Sequence, residues 1–205
     1  EVTVSLDIQY GNLEPGVLGR TVAVEHTFDY SDVYDALQLD SSSLSDEISH
    51  GVLPSEDAFD LVINFTSDSP WGYGSSQSYL DNDGSANNSA IRMTQANAKA
   101  LGLEDLVNGN SGSNGVDGAI AISNQVPWDF DRSNGIASNA FDFVGVAAHE
   151  IGHALGYISG VDYLSEYSPY TVNGVDYFFP ENTFNAVSPL DLFRVSDLSR
   201  SYGPG

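Results

Sequence analysis

Polar and apolar residues alternate at the start of the chain. Val2, Val4, Leu6 and Ile8 are separated by single polar residues, and this period of two predicts a half-buried strand. The alternation returns over residues 21–28, after a loop rich in Gly and Pro. It predicts a second strand, which we expect to pair with the first.

Continuous apolar runs predict two further strands, at residues 60–65 and 118–123. Both runs are short enough for strands that are buried in a sheet. Helical patterns cover residues 30–39, 45–53 and 93–103. Strands and helices therefore occur together in one chain, which predicts an α+β fold.

The segment Asp81-Asn82-Asp83-Gly84-Ser85 allows two interpretations. Aspartates at its first and third positions with a following glycine are typical of a Ca²⁺-binding loop. The twelfth position of an EF-hand loop falls on Arg92, however, where a Glu is required. We therefore expect a hairpin turn, and Ca²⁺ binding is the weaker alternative.

The most distinctive segment is residues 141–158, which read FDFVGVAAHEIGHALGYI. Its pattern predicts a helix with Asn139 as the N-cap. One broad face of this helix is apolar and should pack on a core, on the side away from the two histidines. That face comprises Val144, Ala147, Ile151, Ala154, Leu155 and Ile158. Gly145, Gly152 and Gly156 are unfavourable within a helix, and we expect the close approach of a neighbouring backbone to explain them.

His149 and His153 lie one turn apart on this helix, so that their imidazoles share one side. Two imidazoles at this spacing can bind one Zn²⁺ ion. Glu150 lies beside the pair and not on it, which suits a general base. The alternative is a buried helix that carries these residues by chance. We interpret the other two histidines of the chain, His26 and His50, as structural.

Composition narrows the classes of function. The chain has 205 residues and no Cys, so zinc must be held by nitrogen and oxygen ligands and a zinc finger is excluded. A formal net charge of −23 opposes binding to nucleic acid or to an anionic membrane surface. No run of 18 apolar residues is present, so we expect no membrane insertion. The chain shows no signal peptide, as expected for the mature form of a secreted hydrolase.

The HExxH segment resembles the active-site helix of the zincin metallopeptidases. Further blocks are similar to a group of secreted bacterial HExxH metalloproteases that often carry a C-terminal sorting tail. These blocks are residues 13–19 (LEPGVLG), 30–39, 96–103 (ANAKALGL), 141–162 and 190–194 (LDLFR).

This resemblance implies a zincin-like fold, a twisted, mixed β-sheet of about four or five strands with packed helices that include the HExxH helix. We expect a single metallopeptidase domain over residues 1–205. Its upper subdomain should cover residues 1–158, and a small, irregular lower lobe should cover residues 159–205. In zincins the strand that corresponds to residues 118–123 is an edge strand that borders the cleft, and peptide substrate adds to it.

A catalytic zinc normally has three protein ligands, and two histidines supply only two. Ser159 occupies the position of the third metzincin histidine, and no Met follows that could form a Met-turn. The third ligand should therefore be a carboxylate. Asp191 is the first candidate, because an Asp within an apolar turn needs a positive partner, and Asp162 is the alternative. The remaining candidates are Glu166, Asp176, Glu181 and Asp197.

The resulting expectation is a secreted zinc endopeptidase in which Glu150 is the general base and His149, His153 and Asp191 bind the metal. Its partner should be a protein or peptide substrate, and the chain should be an extracellular monomer whose precursor was associated with the cell surface. Two alternatives stay open, a non-catalytic adhesion module and a hydrolase that acts on something other than peptides. The residue that stabilises the oxyanion is also open, among Tyr157, Tyr163, Tyr167, Tyr177 and Arg194.

Overall fold

Short strands and short helices succeed one another along the chain. The structure is a computed structural model that describes residues 2–55, 57–107 and 115–195. The helices are α1 (Tyr30–Asp40), α2 (Leu44–His50), α3 (Gln95–Ala100), α4 (Phe143–Ala154) and α5 (Gly160–Tyr167). The strands are β1 (Leu6–Gly11), β2 (Gly19–Ala23), β3 (Glu25–Asp29), β4 (Leu61–Ile63), β5 (Tyr79–Asp81), β6 (Ala90–Thr94), β7 (Gly118–Ser123), β8 (Trp128–Asp129), β9 (Phe141–Asp142), β10 (Tyr170–Val172) and β11 (Val175–Tyr177). This content confirms the α+β class.

The chain divides into two compact units. Unit 1 comprises Glu1–His26 and Thr94–Tyr157, and unit 2 comprises Thr27–Met93 and the residues from Ile158 onward. The segment after residue 158, which we expected to form a lobe of its own, therefore shares a unit with residues 27–93. The HExxH helix belongs to unit 1 and the two carboxylate candidates Asp162 and Asp191 belong to unit 2.

The sheet of unit 1 has the order β1-β7-β2. Strand β7 pairs in parallel with β1, where Leu6 lies opposite Gly118, and antiparallel with β2, where Ala23 lies opposite Gly118. The expected pairing between the first two strands is thus wrong, and β7 is a central strand and not an edge strand. The reason is burial: β7 is apolar and largely buried, whereas β1 and β2 expose alternate residues, and the most apolar strand takes the centre of a sheet.

Helix α4 packs on this sheet through a smaller area than its apolar arc suggested. Ile120 and Ile122 of β7 and Ala154 of α4 form the buried centre. The apolar residues that pack around it are Leu6, Trp128, Phe143 and Val146. Three members of the expected core-facing arc are at least 40% exposed, namely Val144, Ile151 and Leu155. The expectation that the whole arc is buried is therefore wrong.

The buried carboxylate of Asp117, just before β7, links α3 to the segment before β1. The Lys99 Nζ atom lies 2.6 Å from Asp117 Oδ1, and the Asp117 side chain is fully buried. The backbone N–H of Ser5 donates to the other oxygen of Asp117 at 2.7 Å. The lysine lies in the ANAKALGL block, and its charge compensates a carboxylate that would be unfavourable in the core without a partner.

Unit 2 contains small two-stranded sheets in which β3 pairs with β6, β4 with β5, and β10 with β11. Its largest fully buried apolar side chains are Tyr30, Val33, Leu61, Ile63, Ile91, Met93, Val161 and Val187. Strand β5 pairs with β4 and not with β6, so the hairpin expected at residues 81–85 is wrong. These residues instead lead into a 3₁₀ turn at Ala86–Asn88.

Helices α1 and α2 confirm two of the expected helices within a few residues. The helix expected over residues 93–103 is shorter, because Ala90–Thr94 form β6 and α3 begins only after Thr94, whose hydroxyl accepts from Asn97 N–H as an N-cap. Within the described ranges the largest sheet has three strands, fewer than the four or five expected. None of the described helices is long and apolar enough to cross a membrane.

Candidate metal centre

Helix α4 begins later than its sequence pattern indicated. Asp142 is the N-cap, and its side chain makes no capping hydrogen bond. The expected cap, Asn139, lies before this position, because Phe141 and Asp142 form β9 and pair with β8. Asp142 pairs with Arg132 at 3.0 Å instead. The same carboxylate would lie 2.5 Å from a Cβ atom at Gly145, so a side chain and not a backbone explains that glycine.

The end of α4 depends on Gly156. This residue has a φ of +94°, in the left-handed region that favours glycine, and an added Cβ would lie 2.8 Å from Asn97 Nδ2. The N–H of Gly156 donates to His153 O at 3.0 Å, and the N–H of Tyr157 donates to Gly152 O at 2.8 Å. These bonds satisfy the last carbonyls of the helix and reverse the chain. They also turn the Tyr157 carbonyl back toward the final helical turn.

The two histidines of the motif converge on one point. His149 Nε2 and His153 Nε2 lie 2.9 Å apart, and their rings are nearly perpendicular, at 82°. A tetrahedral Zn²⁺ bonded to both nitrogens at about 2.0–2.1 Å would hold them roughly 3.3 Å apart. A small movement of either ring therefore converts the present spacing into ligand spacing. Neither ring is buried in the apolar core.

The backbone selects the tautomer of His153. Its Nδ1 lies 3.1 Å from the Tyr157 carbonyl oxygen, which can only accept, so Nδ1 carries the proton. In the neutral ring Nε2 then has a free lone pair and accepts from His149 Nε2–H. A metal ion would replace that shared proton. A second hydrogen bond of this kind, from the far nitrogen to a carbonyl, is the usual way in which a metal-binding histidine is oriented.

Glu150 is held beside the pair by strand β2. Its side chain is only 6% exposed, and its Oε2 accepts from the hydroxyl of Thr21 at 2.7 Å. The same hydroxyl lies 2.9 Å from the Glu150 backbone oxygen, so its single proton is shared between the two acceptors. Gly19 makes room for the carboxylate, because a Cβ at that position would lie 2.6–2.8 Å from its atoms.

A cleft of about 430 Å³ opens beside these groups. His149 and Glu150 form one wall together with the exposed side of α4, and the loop before β2 forms the other. The remaining lining residues are Val17, Leu18, Gly19, Gly145 and Val146. The two polar side chains of the motif thus face a space that is otherwise lined by apolar groups, as binding sites commonly are.

The residues of unit 1 fit two ligands of a zinc ion and not three. Among its described residues, no His, Asp or Glu joins the two histidines with ligand atoms within 4.8 Å of one another. Glu150 is also outside such a group, as a base beside the metal should be. The third ligand therefore stays a prediction, and Asp197 lies outside the described residues.

Asp191 has a complete set of partners within unit 2. Its side chain is fully buried. Oδ1 accepts from Ser159 Oγ at 2.6 Å, and Oδ2 accepts from the backbone N–H of Gly160 and of Ser188 at 2.8 and 2.9 Å. Arg194 is 3.8 Å away. Because protein donors occupy both oxygens, these contacts weigh against Asp191 as a metal ligand.

The other carboxylate candidates for the third ligand have fewer protein hydrogen-bond donors than Asp191. Asp162 is 71% exposed and pairs with Arg194 at 2.7 Å. Asp176 accepts from Thr171 Oγ1 at 2.6 Å within the β10–β11 hairpin, and Glu166 is exposed on α5. Glu181 accepts a hydrogen bond from Tyr79.

The remaining histidines have structural partners of their own. The Nε2 atom of His26 lies 3.3 Å from Gln95 Oε1, and the Nε2 atom of His50 lies 3.2 Å from the Tyr34 carbonyl. His50 also packs against the Tyr34 ring, with centroids 4.3 Å apart.

The sequence does not predict three groups that position the side chains of the site. Thr21, Gly19 and the Tyr157 carbonyl act on Glu150 and His153 through contacts that residue spacing does not reveal. Of these three, only Gly19 belongs to a segment that is distinctive in the sequence, because it is the last residue of the LEPGVLG block.

In comparisons with protein-family models, curated proteins and solved structures, nothing matches this chain. The functional assignment therefore depends on the geometry of the described residues.

The contact between Gly19 and Glu150 predicts a specific instability. Gly19→Ala places a methyl group on the Glu150 side chain and should lower the free energy of unfolding by about 1–3 kcal/mol, as overpacking typically does. Gly11→Ala is the matched control, because Gly11 lies in β1, another strand of the same sheet, where an added Cβ meets nothing within 4 Å. Urea unfolding of both variants checks the prediction. Equal stabilities would contradict the contact, and adding Glu150→Ala should remove most of the Gly19→Ala penalty.

Proposed function

We propose that the chain is a zinc-dependent endopeptidase of the zincin kind. The convergence of His149 Nε2 and His153 Nε2 to 2.9 Å, with the Glu150 carboxylate held by Thr21 and lining the same cleft as His149, carries the proposal. The two imidazoles supply nitrogen ligands on one face of α4, and the Tyr157 carbonyl leaves the Nε2 of His153 available for the metal. A zincin-like fold and secretion are part of the same proposal, and the acidic composition suits a secreted protein.

The ion, when bound, supplies Lewis acidity that polarises a carbonyl and makes water more acidic. Glu150 moves the proton. Its carboxylate accepts a proton from the attacking water as the new C–O bond forms, and it delivers that proton to the amide nitrogen as the C–N bond breaks. The hydroxyl of Thr21 keeps the carboxylate in place for both transfers, so Thr21 is a positioning residue.

The sheet order supports a proposal for where the substrate binds. Strand β7 has neighbours on both sides, so it cannot accept a further strand, whereas β2 lies at the edge of the described sheet. We therefore assign to β2 the role of extending the sheet with an extended peptide. The apolar lining of the adjacent cleft, with Val17, Leu18 and Val146, favours an apolar side chain of the substrate.

For the third ligand we place Asp162 ahead of Asp191. Asp162→Asn changes an exposed side chain and should lower bound zinc by at least about tenfold while leaving the melting temperature of the zinc-free chain nearly unchanged. Asp191→Asn should do the reverse, since an amide nitrogen cannot accept the bonds that Gly160 and Ser188 donate. Zinc content by atomic emission and thermal unfolding separate the two. Full zinc content in Asp162→Asn would assign the ligand elsewhere.

The catalytic assignment is tested by separating chemistry from metal binding. Glu150→Gln keeps the size of the side chain but cannot accept the proton, so casein hydrolysis should fall by at least about 10²-fold while zinc stays bound. His149→Ala should lose zinc and activity together. The matched control is Glu104→Gln, which makes the same change at an exposed position of unit 1 and should leave activity unchanged.

Full activity in Glu150→Gln would refute the role of Glu150 as base, and loss of its zinc would make it a ligand. Wild-type activity that resists removal of zinc by a chelator would refute the zinc peptidase as a whole. Absence of peptide hydrolysis in a zinc-loaded wild-type chain would favour a non-catalytic module.

A further inference from the structure

A second group of oxygen ligands lies in unit 2. One carboxylate oxygen from each of Asp81, Asp83 and Glu181 lies within 4.8 Å of the others. Asp81 is the last residue of β5, Asp83 follows in the next turn, and Glu181 opens a 3₁₀ turn nearly one hundred residues later. No other set of three such side chains at this spacing occurs in the described part of the chain.

One oxygen of the buried aspartate in this group lacks a hydrogen-bond partner. Asp81 is only 3% exposed. Its Oδ2 accepts from Asn87 Nδ2 at 2.6 Å, but its Oδ1 is buried without any hydrogen bond. A buried, unpartnered carboxylate oxygen is unfavourable by several times the free energy of an ordinary hydrogen bond, and a cation is the partner that would compensate it.

Two side-chain amide oxygens near this group also compete for one hydrogen-bond donor. The Ser85 hydroxyl has one proton to donate, yet it contacts Asn87 Oδ1 at 2.5 Å and Asn182 Oδ1 at a still closer distance. The Asn87 amide cannot be reversed, because its nitrogen donates to Asp81. Carboxylate and amide oxygens thus meet where too few protons are available to satisfy them.

At two of the three carboxylates the electrostatics agree with an unmet need for positive charge, whereas hydrogen bonds from Ser85 lower the pKa of Asp83. Burial is the main cause that raises the pKa of Asp81, and it also raises the pKa of Glu181, where Asp81, Asp68 and Asp83 add repulsion. Asp68 accepts the Glu181 backbone N–H at 3.0 Å, which brings a fourth carboxylate close to the cluster.

We propose that Asp81, Asp83 and Glu181 bind one Ca²⁺ ion through one carboxylate oxygen each. All the ligand atoms are oxygens, which suits Ca²⁺ and excludes a preference for zinc. Their separation can be bridged by bonds of about 2.3–2.6 Å. The buried Asp81 and the exposed Asp83 leave one side open to water, which commonly completes the six to eight ligands of this ion.

This site joins the loop after β5 to the 3₁₀ turn at Glu181–Thr183. The ion would therefore link segments that are remote in sequence, and binding should stabilise unit 2. The proposal does not depend on peptidase activity, because its readouts are heat and stability.

The test is a titration of the full chain, already saturated with Zn²⁺, with CaCl₂. Calorimetry should give one site with a Kd at or below about 10⁻³ M, and the melting temperature should rise with Ca²⁺ and much less with Mg²⁺ at the same concentration. Asp83→Asn keeps the turn, since its amide oxygen can still accept from Ser85 N–H, and should weaken Ca²⁺ binding by at least about tenfold.

Asp35→Asn is the matched control, because it removes the same charge from an exposed position of α1 in the same unit. It should bind Ca²⁺ as the parent does. Without Ca²⁺, Asp83→Asn should be slightly less stable than the parent, because hydrogen bonds from Ser85 favour the ionised carboxylate and lower the pKa of Asp83. Added Ca²⁺ should widen this difference, because the parent gains stability from the ion and the variant does not. This Ca²⁺-dependent widening separates a ligand from a merely structural aspartate.

Three results would overturn the proposal. One is the absence of a Ca²⁺-dependent shift in the parent chain. Another is an equal shift in Asp83→Asn and Asp35→Asn, which would indicate general screening of a chain with a net charge of −23. The third is an equal response to Mg²⁺, which would remove the selectivity expected of the site.

Discussion

The site of unit 1 depends on the way strand β2 holds the Glu150 carboxylate. A nearly buried carboxylate needs hydrogen-bond donors, and Thr21 supplies one at 2.7 Å while Gly19 leaves the space that the side chain occupies. Both residues belong to β2, one of the two edge strands of the described sheet. The same strand therefore holds the Glu150 carboxylate and borders the cleft. In the proposed mechanism, this arrangement would couple the placement of a substrate to the placement of the base.

The second constraint is the reversal of the chain after α4. Gly156 adopts a positive φ that an L side chain would find strained, and the turn aims the Tyr157 carbonyl at His153 Nδ1. That hydrogen bond fixes the proton on one nitrogen and leaves the other free. A glycine at a helix end thus determines which nitrogen of His153 is available as a ligand, through the backbone alone.

Local features of this fold follow from the sequence, and long-range pairings do not. The apolar run at Gly118–Ser123 predicted β7, and the spacing of His149 and His153 predicted a shared helix face, because both depend on the repeat of a single element. The two partners of β7 are β1 and β2, which flank one loop and lie far from β7 in the sequence. No local sequence pattern indicates this pairing, so the sequence does not predict the order β1-β7-β2. For the same reason, the sequence predicts that Thr21 lies in a strand but not that its hydroxyl contacts Glu150.

Competition between neighbouring elements explains other differences between the predicted and the observed structure. Asn139 was a reasonable cap by residue type, but pairing of β9 with β8 delays the start of α4 to Phe143. The Asp81–Ser85 segment has the composition of a hairpin turn, yet β5 pairs with β4. Asp191 is a charged residue in an apolar turn, and its carboxylate accepts hydrogen bonds from backbone and hydroxyl donors.

The proposed function requires that His149 and His153 bind a zinc ion through their Nε2 atoms. Zinc K-edge X-ray absorption spectroscopy of the chain loaded with one equivalent of Zn²⁺ tests it most directly, because imidazole ligands give a distinct scattering pattern. The account predicts two imidazoles at about 2.0–2.1 Å, with oxygen atoms as the remaining ligands. A zinc ion coordinated by oxygen alone, or by a single imidazole, would contradict it.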